Sequence, residues 1–193
     1  MGTNKIIGAK IKTMREAKRL SPAEVAERSG LSVEQIGRIE DNVDFPSLAP
    51  LIKIARVLGV RLGTFLDDQA ELGPVVCRKN DSREENTISF SNNSAASHKH
   101  MDYHSLSQDK SGRHMETFLI DVAPSGGADF IPSTHEGEEF IYVLEGIIEI
   151  NYGQAAYVLE EGDSIYYDSI VAHHVHAYNG NRSKILGVVY TPY

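Results

Sequence analysis

Apolar residues in the first third of the chain recur with a helical period. Ile7, Ile11 and Met14 are spaced four and three apart, the stripe that one buried helix face requires, and predict a helix over 6–18. Ser21 then precedes Pro22 and has Glu24 three positions on, an N-cap with proline in the first turn and a capping-box glutamate. Val25 and Ala26 supply the inner face of this second helix, and Gly30 ends it where a left-handed residue is needed. Ser32 caps a third helix with Gln35 as its reciprocal partner, and Ile36 and Ile39 face inward. Over 47–58 the pattern repeats with Leu48, Leu51, Ile52, Ile54, Ala55 and Leu58 before Gly59 stops it; 61–65 makes a short fifth helix. The expectation is a compact all-α unit.

Between 67 and 100 the periodicity dissolves into Ser, Asn, Asp and Glu, with one apolar stretch at Ile88–Phe90 that fits a single edge strand. From Met101 the period becomes two. Strands are expected at 101–106, 117–122, 129–131, 140–144, 147–152, 155–159, 164–167, 173–178 and 184–191, punctuated by Gly146, Gly153, Gly162 and Gly180. Many short strands at close spacing imply a closed or doubled antiparallel sheet, a barrel or jelly roll. The expected organisation is an α+β multidomain chain: an all-α domain over 1–68, a linker over 69–100 and an all-β domain over 101–193.

Charge divides along the same line. Residues 1–66 hold 11 Lys and Arg against 7 Asp and Glu, whereas 67–193 hold 8 against 20, within a net charge of −8. A basic first third on an acidic body suits a nucleic-acid-facing module on a domain that a duplex repels. Cys77 is the only cysteine, which excludes an intrachain disulfide and a thiolate cluster. No apolar run approaches the ~20 residues that span a bilayer, and Met1–Lys12 lacks a signal-peptide core, so no membrane partner and a cytoplasmic location are expected.

Arg15, Leu20, Ala26, Gly30, Leu31, Ser32, Ile36, Ile39 and Glu40 together give residues 6–66 the pattern of the phage-repressor or Xre-type helix-turn-helix, which the segment resembles. The resemblance implies a lambda-repressor-like five-helix fold that reads double-stranded operator DNA, with Arg15 and Glu40 pairing in a structural role. Its reading face would be Ser32, Val33, Glu34, Gln35 and Arg38. Their chemistry is suitable: Arg38 for guanine, Gln35 for adenine, Glu34 for cytosine N4 and Val33 for a thymine methyl. Lys10, Lys12, Lys18 and Arg19 are candidates for phosphate. Pro22 stands where relatives often carry a phosphate-contacting Gln, and Gly37 weakens the reading helix by ~1 kcal/mol relative to Ala. Both favour modest affinity.

The segment from Gly127 through His135, Glu139 and Gly146 resembles the first motif of the cupin family, and Gly162 through His173 resembles the second. The resemblance implies a jelly-roll or double-stranded β-helix barrel holding one metal ion, with His135, Glu139 and His173 at three ligand positions. Ser133 replaces the fourth, the first His of His-x-His. Two imidazoles and a carboxylate with open positions suit Fe(II) and tolerate Zn, Mn or Ni. The alternative is a metal-free barrel in which these histidines are hydrogen-bonded interior groups around an organic ligand. His174 and His176 are expected to face away from His173, Tyr103 to point into the pocket, and His98, His100 and His104 to be solvated or at a strand edge.

Together these features predict a transcriptional regulator and not an enzyme: a homodimer whose cupin domain binds a small-molecule effector and whose helical domain binds DNA. A rival fits the same layout. The His/Glu/His set without a first histidine resembles hydroxypropylphosphonate epoxidase, a non-haem iron oxidoreductase whose helical domain serves the active site. The polar face over 31–40 and the run from Glu136 to Gly146 favour the regulator.

Overall fold

A computed structural model describes residues 4–43, 46–66, 74–79, 87–89, 101–108, 110, 112–124 and 132–192. The helical domain comprises α1 (Asn4–Ala17), α2 (Pro22–Ser29), α3 (Val33–Glu40), α4 (Leu48–Val57) and α5 (Gly63–Leu66). Its helix starts follow the sequence signals. Ser21 Oγ accepts the Glu24 N–H at 3.2 Å while Glu24 Oε2 accepts the Ser21 N–H at 2.8 Å, closing the capping box. Gly30 adopts φ 70°, and Ser32 Oγ accepts the Gln35 N–H at 3.0 Å. Ile7, Ile11, Val25, Ile36, Ile39, Leu51, Ile54, Leu58 and Phe65 fill the core.

α1 and α3 cross at Gly8, where a Cβ would lie 2.3 Å from the Ile39 carbonyl oxygen. Only a residue without a side chain permits that approach. Two turns along, Arg15 makes a bidentate contact to Glu40, Nε to Oε1 at 2.6 Å and Nη2 to Oε2 at 2.9 Å. Its Nη1 donates to the Leu20 carbonyl at 2.8 Å, so one buried guanidinium ties α1, the turn into α2 and the end of α3.

The β domain contains β1 (Thr87–Ser89), β2 (Met101–Ser105), β3 (Met115–Val122), β4 (Glu138–Glu145), β5 (Ile148–Tyr152), β6 (Ala155–Leu159), β7 (Ser164–Asp168), β8 (His173–Ala177) and β9 (Ser183–Tyr190). They form a six-stranded sheet in the order β1-β2-β3-β9-β4-β7 and a three-stranded sheet in the order β6-β5-β8, with antiparallel pairing throughout. Alternating burial along β3 and β9 aims Phe118, Ile120, Val122, Ile185 and Val189 inward with Ile141, Val143, Ile148 and Ile150. The apolar stretch near Ile88 does supply an edge strand, β1, which pairs with β2. The strand expected at 129–131 lies outside the described residues, as do His98 and His100. His104 is a strand residue whose Nε2 sits 3.0 Å from Asp121 Oδ2 on the adjacent strand.

The two domains touch at polar and close-packed points. Arg56 of α4 pairs with Glu136 at 2.7 Å. α5 rests against a buried Arg113–Glu116 ion pair of 2.7 Å; a Cβ at Gly63 would lie 2.8 Å from Arg113 Nη2.

Removing one partner of a buried ion pair strands the other charge, so Arg15→Met is expected to destabilise the helical domain by about 3 kcal/mol. The double variant Arg15→Met/Glu40→Leu should recover most of that loss, read as urea-denaturation midpoints followed by helical circular dichroism.

Candidate functional site

The candidate metal centre is assembled by a bend and two strand ends. Backbone hydrogen bonds join Ser133 to His173 in both directions, at 2.7 and 3.0 Å, and stitch the segment before β4 to β8. The His135 N–H donates to the carbonyl of buried Ser169, whose own N–H donates to the Gly137 carbonyl. The chain then bends at Glu136–Gly137 and enters β4 one residue before Glu139. Gly137 has φ 112°, and a Cβ there would lie 2.0 Å from the Tyr190 carbonyl oxygen. Conformation and space both demand glycine. The bend lets residues four apart converge.

His135 Nε2 lies 2.7 Å and His173 Nε2 3.4 Å from Glu139 Oε1, and the ligand atoms of all three residues lie within 4.8 Å of one another. Each imidazole directs Nδ1 at a backbone carbonyl: His135 to Glu136 at 3.1 Å, His173 to Val171 at 2.8 Å. A carbonyl only accepts, so Nδ1 carries a proton in each ring and Nε2 is the atom turned to the centre. The Tyr167 hydroxyl donates to Glu139 Oε2 at 2.7 Å and leaves Oε1 for the centre.

Two ring nitrogens and a carboxylate oxygen facing one another hold positive charge between them, as protons on Nε2 or as a bound cation. The residues present therefore fit a divalent cation. Burial pushes the Glu139 pKa up, but hydrogen bonds and charge from His135 and His173 outweigh it and hold the carboxyl well below its usual range. For His173, burial pushes the pKa down, and the Glu139 carboxylate more than reverses this. Burial, reinforced by the charge of Glu139, raises both Tyr103 and Tyr167, which stay protonated hydroxyls.

The triad sits at one end of a cavity lined by Met101, Tyr103, Ile120, Val122, Ile141 and Ile185. Tyr103 borders it as the strand pattern predicts. Ser133, at the position of the missing histidine, also lines it. His174 and His176 stack together, centroids 5.5 Å apart, opposite Asn151 and Glu149 on β5. Their side of β8 is indeed the reverse of the His173 side, yet both still border the cavity. Two contributions were not anticipated from sequence. Tyr167 was read only as a strand residue, although its register opposite Glu139 makes the contact inevitable once β4 and β7 pair. Ser47, Leu48 and Ala49, from the start of α4, close one wall of the cavity. No pattern in the chain signals a contact between the two domains.

The candidate reading face lies elsewhere. Ser32, Val33, Glu34 and Arg38 are exposed and Gln35 is half-buried, while Ile36 and Ile39 point into the core. Val33 is 52% exposed. Two of the four phosphate candidates meet partners within the chain: Lys10 Nζ reaches the Phe65 carbonyl at 3.4 Å, and Lys12 lies 3.9 Å from Asp41.

A doubled antiparallel sheet with two histidines and a glutamate converging inside it defines a cupin-type barrel. Comparison agrees: residues 118–189 match the cupin domain family model, and residues 11–65 match the helix-turn-helix family model. The chain joins a helix-turn-helix domain to a cupin domain. Similar solved structures share both. An HTH_3 family transcriptional regulator from Vibrio cholerae is 22% identical with a TM-score of 0.67, covering 100% of this chain and 98% of that one. The structure of FeII HppE is 22% identical with a TM-score of 0.50, over 97% of this chain and 100% of that one. Hydroxypropylphosphonic acid epoxidase from S. wedmorenis is 21% identical with a TM-score of 0.49, over 97% and 98%. At these identities the first two show the fold alone. No curated protein matches the sequence. Among the described residues, no helix is long and apolar enough to cross a membrane.

Tyr167→Phe removes the hydrogen bond that orients Glu139 and is expected to weaken zinc affinity about 10- to 100-fold with the fold intact, measured by chelator competition. Gly137→Ala is expected to lose zinc binding and thermal stability together, since the bend cannot form.

Proposed function

We propose that this protein is a DNA-binding transcriptional regulator whose cupin domain binds a small-molecule effector at a divalent metal ion. The observation that carries the reading is α3. Its polar residues and Val33 face solvent on a helix held from behind by the Arg15–Glu40 pair and the Gly8 crossing. A helix that only braced the cupin domain would gain nothing from an exposed valine. Seated in a major groove, Arg38 would take guanine O6 and N7, Gln35 adenine, and Val33 a thymine methyl. Ser32, at the N-cap, would approach phosphate.

A single small reader holds a half-site weakly, so the working form is a homodimer on two half-sites roughly 34 Å apart. The edge strand β6 supports this, since Tyr157 and Val158 are each 45% exposed there. In the cupin domain, His135, Glu139 and His173 would hold the ion, which would supply a positive charge and open coordination positions for an effector. Regulation then requires that the effector bind one state of the DNA-binding dimer more tightly than another. The cytoplasm is the compartment this function implies.

A second reading, a mononuclear non-haem iron oxidoreductase, is favoured by one observation: two histidines and one carboxylate converge in a cavity that Tyr103 also lines. It predicts oxygen consumption by the iron-loaded protein with a phosphonate substrate, which the regulator reading does not.

A gel shift on DNA upstream of the protein's own coding sequence should show binding that falls steeply with salt. Arg38→Ala should cost about 1–3 kcal/mol of specific affinity and relax the preference at one base pair. An unchanged shift would remove α3 from the interface.

A further inference from the structure

We propose that the cavity takes a small monocarboxylic acid with an apolar body, its head at the triad and its tail against Leu48 and Ala49 of the helical domain. The proposal rests on the effector and metal reading given above, and it adds the chemical class of the effector and its contact with the reader.

Charge balance selects the head. A divalent ion, one Glu139 carboxylate and two neutral imidazoles leave one net positive charge inside an apolar chamber. A monoanion cancels it. Among the described lining residues there is no lysine, arginine or second carboxylate. A dianion such as a phosphonate would leave uncancelled negative charge, and an ammonium would meet positive charge; either residual charge is costly in an apolar surround. The lining thus lacks the cationic side chains that a phosphonate substrate calls for.

The walls select the body. Away from the triad the lining is Met101, Ile120, Val122, Ile141 and Ile185, with His174 and His176 on one side and Leu48 and Ala49 completing it. The chamber leaves about 100 Å³ of room for the centres of water-sized groups. That suits an aliphatic chain or a small ring, whose burial is favourable in proportion to the area removed from water.

The wall formed by α4 gives this ligand a direct route to the reader. The first turn of α4 supplies Leu48 and Ala49, and its last turn supplies Arg56, paired with Glu136 next to the ligand His135. The same helix packs on α2 of the helix-turn-helix. A tail long enough to press on Leu48 and Ala49 would contact the DNA-binding domain of its own chain.

Isothermal titration of the full-length, zinc-loaded protein with straight-chain carboxylates from acetate to octanoate tests this. Affinity should rise about fourfold per added methylene, as transfer of a CH₂ from water implies. Hexylphosphonate and hexylamine should bind at least tenfold more weakly than hexanoate, and chelation of the zinc should abolish carboxylate binding. Ala49→Phe should erase the gain for octanoate while leaving the butanoate affinity and the circular dichroism unchanged. Leu48→Ala, which removes bulk instead of adding it, should weaken octanoate severalfold more than butanoate. A flat chain-length series, a dianion preferred over the monocarboxylate, or full octanoate affinity in Ala49→Phe would each overturn the proposal. Gel shifts on the same protein keep the two readings apart. DNA binding with a flat series refutes only the ligand class, and a rising series without DNA binding refutes only the regulator.

Discussion

Two imidazoles and a carboxylate are pressed together inside the barrel, and much of the cupin domain is arranged to keep them pressed. Each histidine is denied its other tautomer by a backbone carbonyl, and Glu139 is denied rotation by the Tyr167 hydroxyl. The Ser133–His173 bridge and the Ser169 backbone contacts hold the two chain segments in place. Gly137 makes this arrangement possible, since the bend it permits turns a four-residue separation into a convergence. A side chain at that position would push against the Tyr190 carbonyl and spread the donors apart.

The helical domain meets a different demand by a similar device. A reading helix must show its polar face to solvent while its back is immobile. α3 achieves this with two isoleucines in the core, a capping serine at its start and a charge-paired glutamate at its end. Each nitrogen of the Arg15 guanidinium bonds that glutamate or the Leu20 carbonyl, so a buried ion is tolerated where geometry satisfies it. Exposure of α3 and closure of the cavity by α4 are compatible because they use different helices of one small bundle. One helix faces outward to solvent, and another faces the cupin chamber.

Much of this was legible in the residues themselves. Capping residues, glycines at left-handed positions and apolar stripes are local features, decided within four or five residues, and the helices begin and end close to where those features place them. The alternation along β3 and β9 marks inward residues before any pairing is known. The spacing of His135, Glu139 and His173 carried the candidate site because it encodes which strand ends meet in a cupin barrel. The charge contrast between the two parts of the chain separated them without reference to structure.

What stayed hidden depends on contacts between elements distant in sequence. Tyr167 reaches Glu139 only because β7 pairs with β4 in one register, and a shift by one residue would turn it outward. Leu48 reads as an ordinary core position of a helix, and it is buried as expected, but with Ala49 it also borders a chamber in the other domain. Burial of an apolar residue looks the same in sequence whichever surface covers it. The residues alone therefore determined two folds and the donor atoms of one site. The docking of α4 on the barrel, and with it the shape of the cavity, was decided only by tertiary packing, because side chains on one helix carry no record of which surface they meet.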